Sequence, residues 1–274
     1  MSSLGEIYTT EMRMKETAKG WQDFWAEFFR IKHRRQIEGI RECDRKLVTH
    51  VVETLGLNSN VRILDLACGG GDQAIEFARG GMRVVGIDIA EVLVDQGNDA
   101  ARRENLPVRI IQGDMREVSF KDEFDACVIL SGSFGFFDDE GNLRVLQIME
   151  QALKRRGRFY IHGANPLKKM RNAWKGWDEV EGGYVLMGSD YDPKTGRMID
   201  AFFYITDAGE LVRFMPTPED KGFSLETRMY TLPEMIALIE TANLRFLSAY
   251  GSIELPPEQY APSSNSMIVV GEKP

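Results

Sequence analysis

From residue 61 to residue 163 the chain alternates short apolar runs with longer amphipathic stretches. The apolar runs are "VRILDLA", "RVVGIDI", "VRIIQGD", "FDACVILSG" and "GRFYIHG"; between them, 72–80, 91–104 and 139–155 have helical length and periodicity. The runs place β-branched and apolar residues at consecutive positions, as strands covered on both faces do. Strands interleaved with helices specify an α/β fold with a doubly wound, Rossmann-like and mostly parallel sheet. Ligands of such sheets bind at the carboxyl ends of the strands, so the residues closing each run are where chemistry is to be sought.

Residues 11–55 read as helix. Trp21, Phe24, Trp25, Phe28, Phe29 and Ile31 form an aromatic stripe at spacings of three and four, suited to packing on the sheet, to capping a ligand cleft, or to both. After residue 163 the pattern changes. The stretch "GGYVLMGSDYDPKTGRMIDAFFYITDAGELVRF" breaks its apolar runs at Asp192-Pro193, Thr195-Gly196 and Asp207-Ala208-Gly209, which predicts an antiparallel insertion of two or three strands, with "SLETRMY" as a further one. Thr231 and Glu234 form a capping-box pair that opens a helix over 232–242. "LRFLSAYG" and "SNSMIVVGEK" then close the core as an antiparallel hairpin with a long loop. The expected division is a helical cap over 1–56, a core over 57–163, an antiparallel insertion over 164–230 covering the substrate, and closing elements over 231–274.

Composition narrows this picture. A chain of 274 residues with 43% hydrophobic content can bury a full core. Its 34 basic and 42 acidic side chains leave a net charge of −8, which argues against a nucleic-acid partner. No apolar run approaches the ~18 residues of a membrane span, and the amino terminus is polar, so a cytoplasmic protein without a membrane partner is expected. Cys43, Cys68 and Cys127 lack metal-ligand spacing, and His33, His50 and His162 lie far apart, so neither a disulfide framework nor a metal site is suggested. The oligomeric state stays open, a homodimer included.

The chemistry centres on "LDLACGGGDQA", residues 64–74. Gly69, Gly71 and Ala74 fit the glycine fingerprint of dinucleotide sites, which by itself admits an NAD(P)-dependent oxidoreductase. Asp65, however, stands at the strand end beside the turn. A carboxylate there repels a pyrophosphate but suits a ligand bearing an ammonium or sulfonium charge, such as S-adenosylmethionine. Asp88, ending the second strand, can accept ribose hydroxyls in either case. Gly113, Asp114 and Met115, ending the third, offer an acceptor for an adenine amino group and an apolar neighbour for the ring, which favours S-adenosylmethionine.

The motifs "LDLACGGG", "GIDIA", "QGDM" and "FDACVILSGSFGFF", in this order, resemble those of class I S-adenosylmethionine-dependent methyltransferases over roughly 60–165. The resemblance implies a seven-stranded sheet whose last strand is antiparallel. It also implies cofactor contacts from Asp65, Ala67, Gly69, Gly71, Asp72, Asp88, Ile89, Gly113, Asp114, Met115, Leu130, Ser131 and Ser133. A looser likeness to the glycine and sarcosine N-methyltransferases and related small-molecule enzymes implies that the leading cap reaches the cofactor. Trp25 and Arg35 are the candidates there, with Arg34 and Arg41 as alternatives for the cofactor carboxylate. Gly132 stands where those enzymes carry an asparagine, and only Arg197 and Arg213 lie between 180 and 225, so the likeness speaks to architecture more than to glycine as acceptor.

His162, at a strand's carboxyl end and followed by Asn165, is either a general base for the acceptor or a hydrogen-bonded structural histidine. Phe134, Phe136 and Phe137 can wall a pocket or fill the core, and Tyr8, Trp174, Trp177, Tyr191, Tyr204, Arg228 and Tyr230 are further pocket candidates. The expected reaction is in-line methyl transfer to a small-molecule acceptor, at nitrogen or oxygen. The competing expectations are an NAD(P) enzyme, a non-catalytic S-adenosylmethionine-binding protein, and a macromolecular acceptor.

Overall fold

The computed structural model describes residues 15–16, 37–171, 174–180, 183–209, 211–213 and 225–274. The aromatic stripe with Trp25, the candidates Arg34 and Arg35, and Tyr8 lie outside these residues. Of the expected leading helix, α1 (Ile37–Leu55) is described.

Each apolar run becomes a strand, and each amphipathic stretch the helix after it. β1 (Arg62–Leu66) leads to α2 (Asp72–Arg79), β2 (Arg83–Asp88) to α3 (Glu91–Arg103) and then β3 (Val108–Gln112). β4 (Phe124–Ile129) is followed by α4 (Asp139–Ala152), β5 (Leu153–Ala164) and the single turn α5 (Pro166–Lys169). After the insertion come α6 (Leu232–Thr241), β11 (Arg245–Tyr250) and β12 (Ser266–Glu272). The seven strands are ordered β11-β12-β5-β4-β1-β2-β3. β1 to β5 run parallel, and β12 is antiparallel to both neighbours. The order reverses at β1, which has β2 on one side and β4 on the other, creating the crevice where such sheets bind ligands.

Alternation along the strands builds two cores. Ile63, Ala126 and Val128 face Leu47, Val48, Val51 and Leu55 of α1 and Ala74 and Phe77 of α2. Leu64, Leu66, Cys127 and Ile129 face Val145, Leu146 and Met149 of α4 and Met235 and Ile239 of α6. Each large side chain so buried contributes roughly 1.5–3 kcal/mol. A buried hydrogen bond of 2.8 Å between His50 Nδ1 and the Tyr160 hydroxyl ties α1 to β5. Among the described residues no helix is long and apolar enough to cross a membrane.

Two elements differ from the sequence reading. α4 stops at Ala152 rather than at 155, and β5 begins at Leu153. Leu153 is buried, Arg156 takes φ +65°, and the backbones of Arg156 and Gly157 pair with Lys273 of the carboxy-terminal segment. The tertiary pairing of "KRRG" outweighs the helical propensity of Lys154 and Arg155.

The insertion is also larger than expected. It holds β6 (Trp174–Val180), β7 (Gly183–Asp192), β8 (Arg197–Thr206), β9 (Leu211–Arg213) and β10 (Leu225–Arg228). β7 pairs with one edge of β8, while β9 and β10 share the other; the two-residue strand Lys15–Glu16 pairs with β9. The expected turns are present, with Asp192 accepting from Lys194 N and Thr195 Oγ1 in the β7–β8 hairpin.

Candidate active site

A cavity of ≈ 540 Å³ lies across the carboxyl ends of β1, β2 and β4, closed on one side by Asp200 and Thr227 of the insertion. Its size is within the ~300–1,000 Å³ of small-molecule and cofactor sites. The glycine turn forms its floor. Gly69 has φ +57° and nothing within 4 Å of an added Cβ, so its backbone faces open space. Gly71, at φ +76°, caps α2 and packs against Ile110, where a Cβ would come within 2.5 Å of Cδ1. Gly71 therefore does not line the cavity, and its place in the motif comes from the turn itself rather than from ligand contact.

Asp65 and Asp88 close this end. Asp88 Oδ2 accepts from Gly69 N at 2.7 Å and Oδ1 from Ala90 N at 3.0 Å, joining the glycine turn to the start of α3. Burial raises the Asp88 carboxyl, and the backbone donors of Ala90, Gly69 and Ile89 oppose that shift. Asp65 has no such support. It is fully buried, and its Oδ2 has no hydrogen-bond partner among the described residues. Burial and the Asp88 charge push its carboxyl up to about 8. A buried, unsatisfied carboxylate beside open space is the mark of a site awaiting a cation, which is the charge the methionine moiety of S-adenosylmethionine carries. The residues present fit that group.

Ala67, Asp72, Ile89, Gly113, Asp114 and Met115 line the same cavity. Asp114 is engaged by a residue absent from the sequence reading. Arg116 donates to it through its backbone N–H at 2.8 Å and its guanidinium Nη2 at 2.5 Å, and stacks 4.1 Å over the Phe137 ring. Burial would raise the Asp114 carboxyl, but the Arg116 hydrogen bonds and charge together hold it below the usual range.

Leu130, Ser131 and Ser133 also line the cavity, on the turn after β4, where Ser131 and Gly132 both take positive φ. His162 lies behind this turn. Its Nδ1 accepts from Ser131 N at 3.3 Å, its backbone oxygen accepts from Gly132 N at 2.9 Å, and Nε2 meets Ser266 Oγ at 3.3 Å. It lines neither this cavity nor the adjoining one, and burial, aided by His50, lowers its pKa to about 4. The expectation of His162 as a base facing the acceptor is corrected by this placement. A neutral imidazole that accepts at Nδ1 carries its proton at Nε2, the structural alternative.

Other lining residues went unread. Asp44, on α1 three residues after the candidate Arg41, is buried and accepts from Gln73 Nε2 at 2.6 Å. Burial and the charges of Asp72 and Glu76 raise its carboxyl to about 6, with the Gln73 bond opposing. Its period-matched position among Leu47, Val48 and Val51 was the available signal. Phe136 and Phe137 wall this cavity. Gly132, Asp200 and Thr227 also line a second cavity of ≈ 200 Å³, whose walls include Phe134, Arg228 and Tyr230. Trp177 is on the outside, 63% exposed, and Tyr191 lines neither cavity; the Trp174 and Tyr204 side chains lie outside the described residues.

Comparison with known proteins agrees with this geometry. The family described as "Methyltransferase domain" matches residues 63–157. The putative methyltransferase YqeM of Bacillus subtilis is 27% identical over 170 residues, which are 60% of this chain and 68% of the relative. The CcbJ methyltransferase of Streptomyces caelestis superposes with a TM-score of 0.71 at 16% identity, over 84% of this chain and 89% of that one. The sugar N-methyltransferase KedS8 of Streptoalloteichus does so with 0.62 at 17% identity, over 93% and 95%. Residues 63–157, which carry the glycine turn with Asp65, Asp88 and Asp114, thus match a methyltransferase domain, and the chain has the fold of these methyltransferases.

Proposed function

We propose that the chain methylates a small-molecule acceptor at nitrogen or oxygen, with the acceptor entering from the second cavity. The observation that carries this reading is the junction of the two cavities at Gly132, Asp200 and Thr227, which leaves room for one compact molecule beside the cofactor cavity. The structural likeness to a sugar N-methyltransferase supports it, as does the net charge of −8.

In this reading Asp65 faces the cationic methionine moiety, Asp88 and the Gly69 turn hold the ribose, and Asp114, Met115 and Ile89 hold the adenine. Ala67, Asp72, Leu130, Ser131 and Ser133 complete the wall; Trp25 and Arg35, outside the described residues, are the further cofactor contacts of this reading. His162 keeps the Ser131–Gly132 turn in place. The cofactor supplies a methyl group already activated on sulfur. The protein then has to hold the acceptor atom in line and keep water out, effects that together supply much of such a rate enhancement. The segment 164–230 acts as the cover, 57–163 and 231–274 as the core, and 1–56 as the cap.

Calorimetric titration with S-adenosylmethionine, S-adenosylhomocysteine and NAD(H), followed by transfer of labelled methyl to a panel of small amines and alcohols, tests the reading. Binding of both sulfur ligands with turnover on one acceptor class is expected. Binding without turnover across the panel would leave a cofactor-binding protein and overturn it.

A further inference from the structure

Asp200 belongs to none of the cofactor motifs. It stands on β8, half-buried, and lines both cavities at their junction. Ser189 Oγ of β7 donates to its Oδ1, fixing the carboxylate from the insertion side. The smaller cavity beyond it is walled by Met198, Met229, Met235, Met267, Ile161 and Phe134, a surface that adapts to apolar groups of irregular shape. Its ≈ 200 Å³ equals about seven water volumes, room for a compact body rather than a polymer. Two cations line this cavity: Arg228 is already compensated by Glu234 and Asp139, while Lys169 of α5 is near enough for its charge to act on Asp200.

Building on the methyl-transfer reading, we propose that the acceptor is a small amine whose nitrogen is held by Asp200 at the junction, with its apolar body in the methionine-lined cavity. The acceptor's ammonium gives one proton to the Asp200 carboxylate, leaving a neutral amine and a carboxylic acid. The amine lone pair then forms the new nitrogen–carbon bond as the sulfur–carbon bond breaks, and that electron pair remains on sulfur. The positive charge passes from sulfur to the methylated nitrogen. Burial raises the Asp200 carboxyl, against the Ser189 hydrogen bond and the Lys169 charge, and so brings its proton affinity nearer to that of an amine.

The test uses the full chain saturated with S-adenosylhomocysteine and four probes: benzylamine, cyclohexylamine, benzyl alcohol and cyclohexanol. Calorimetry should show both amines binding the wild type and both alcohols binding at least about tenfold more weakly. Asp200→Asn, whose amide oxygen can still accept from Ser189, should lose about tenfold in amine affinity when saturated with S-adenosylhomocysteine. Asp200→Glu should restore part of that loss, and methylation of benzylamine by Asp200→Asn should shift its kcat/KM profile to higher pH. Alcohols binding as well as amines, no amine binding at all, or amine affinity unchanged in Asp200→Asn would overturn the assignment while leaving the cofactor reading intact. A wild type that fails to bind S-adenosylhomocysteine would overturn the methyl-transfer reading, and this assignment with it.

Discussion

Asp65 shows how much of the site one residue can carry. It was legible because a carboxylate between an apolar strand and a glycine turn has no packing reason to be there. In the folded chain it is buried without a hydrogen-bond partner among the described residues, and its carboxyl sits at about 8. At pH 7 it is therefore mostly protonated in the free protein, and a cationic ligand must pull it into the charged form. Binding of S-adenosylhomocysteine, whose ammonium remains, should release a proton and tighten as pH rises from 6 to 8. Calorimetry in buffers of different ionisation enthalpy reads this directly. Asp65→Asn should abolish the proton release and weaken binding about 10- to 100-fold.

His162 behaves in the opposite sense. Its pKa falls from 6.5 to about 4 on folding, so the stability it contributes is complete above pH 6.5 and is lost as pH drops through 4. The loss amounts to about 3 kcal/mol at most. His162→Gln, whose side-chain oxygen can accept from Ser131 N, should flatten this part of the acid-denaturation profile. Sequence position alone could not separate the two roles of His162, because strand ends carry both ligands and turn anchors. Asp44 was hidden for a related reason: its partner, Gln73, is distant in sequence.

At the scale of elements, periodicity located the strands and helices of the core because tertiary packing and local pattern agree there. It failed where they conflict. In β6, "WKGWDEV", the apolar residues Trp174, Trp177 and Val180 recur every third position rather than every second, so no alternation marks a strand; pairing with β7 supplies it. Gly97 is another such case, since a glycine inside α3 carries no local signal. Its position is set by contact with the glycine turn, where an added Cβ would come within 2.5 Å of the Gly70 backbone oxygen and 2.3 Å of Ile110 Cδ1. Backbone cannot yield as a flexible side chain does. Gly97→Val should therefore push α3 away from the turn, cost about 1–3 kcal/mol in denaturant unfolding, and weaken S-adenosylhomocysteine binding although residue 97 does not line the cavity. Unchanged affinity in a destabilised variant would separate the helix from the site.

The whole molecule joins two sheets around one pair of cavities. Strand ends of the seven-stranded sheet provide the cofactor side, and Asp200 and Thr227 from the insertion close it. Fold class and cofactor end were readable because a parallel sheet concentrates its chemistry in short, contiguous motifs. The second cavity draws on α5, β8, β10 and α6, far apart in sequence, so no single motif could mark it. A ligand that binds only the folded chain stabilises it by about 2.7 kcal/mol at one hundred times its Kd. For a chain of this size that corresponds to a rise in Tm of roughly 5 °C. S-adenosylhomocysteine should produce that shift in a thermal melt, and NAD should leave Tm unchanged. Because the cavity wall includes residues of the insertion, the same ligand should also slow amide exchange around Asp200 and Thr227, not only in the glycine turn. Protection confined to the turn would mean that the insertion opens independently of the cofactor, and that acceptor binding rather than cofactor binding closes it.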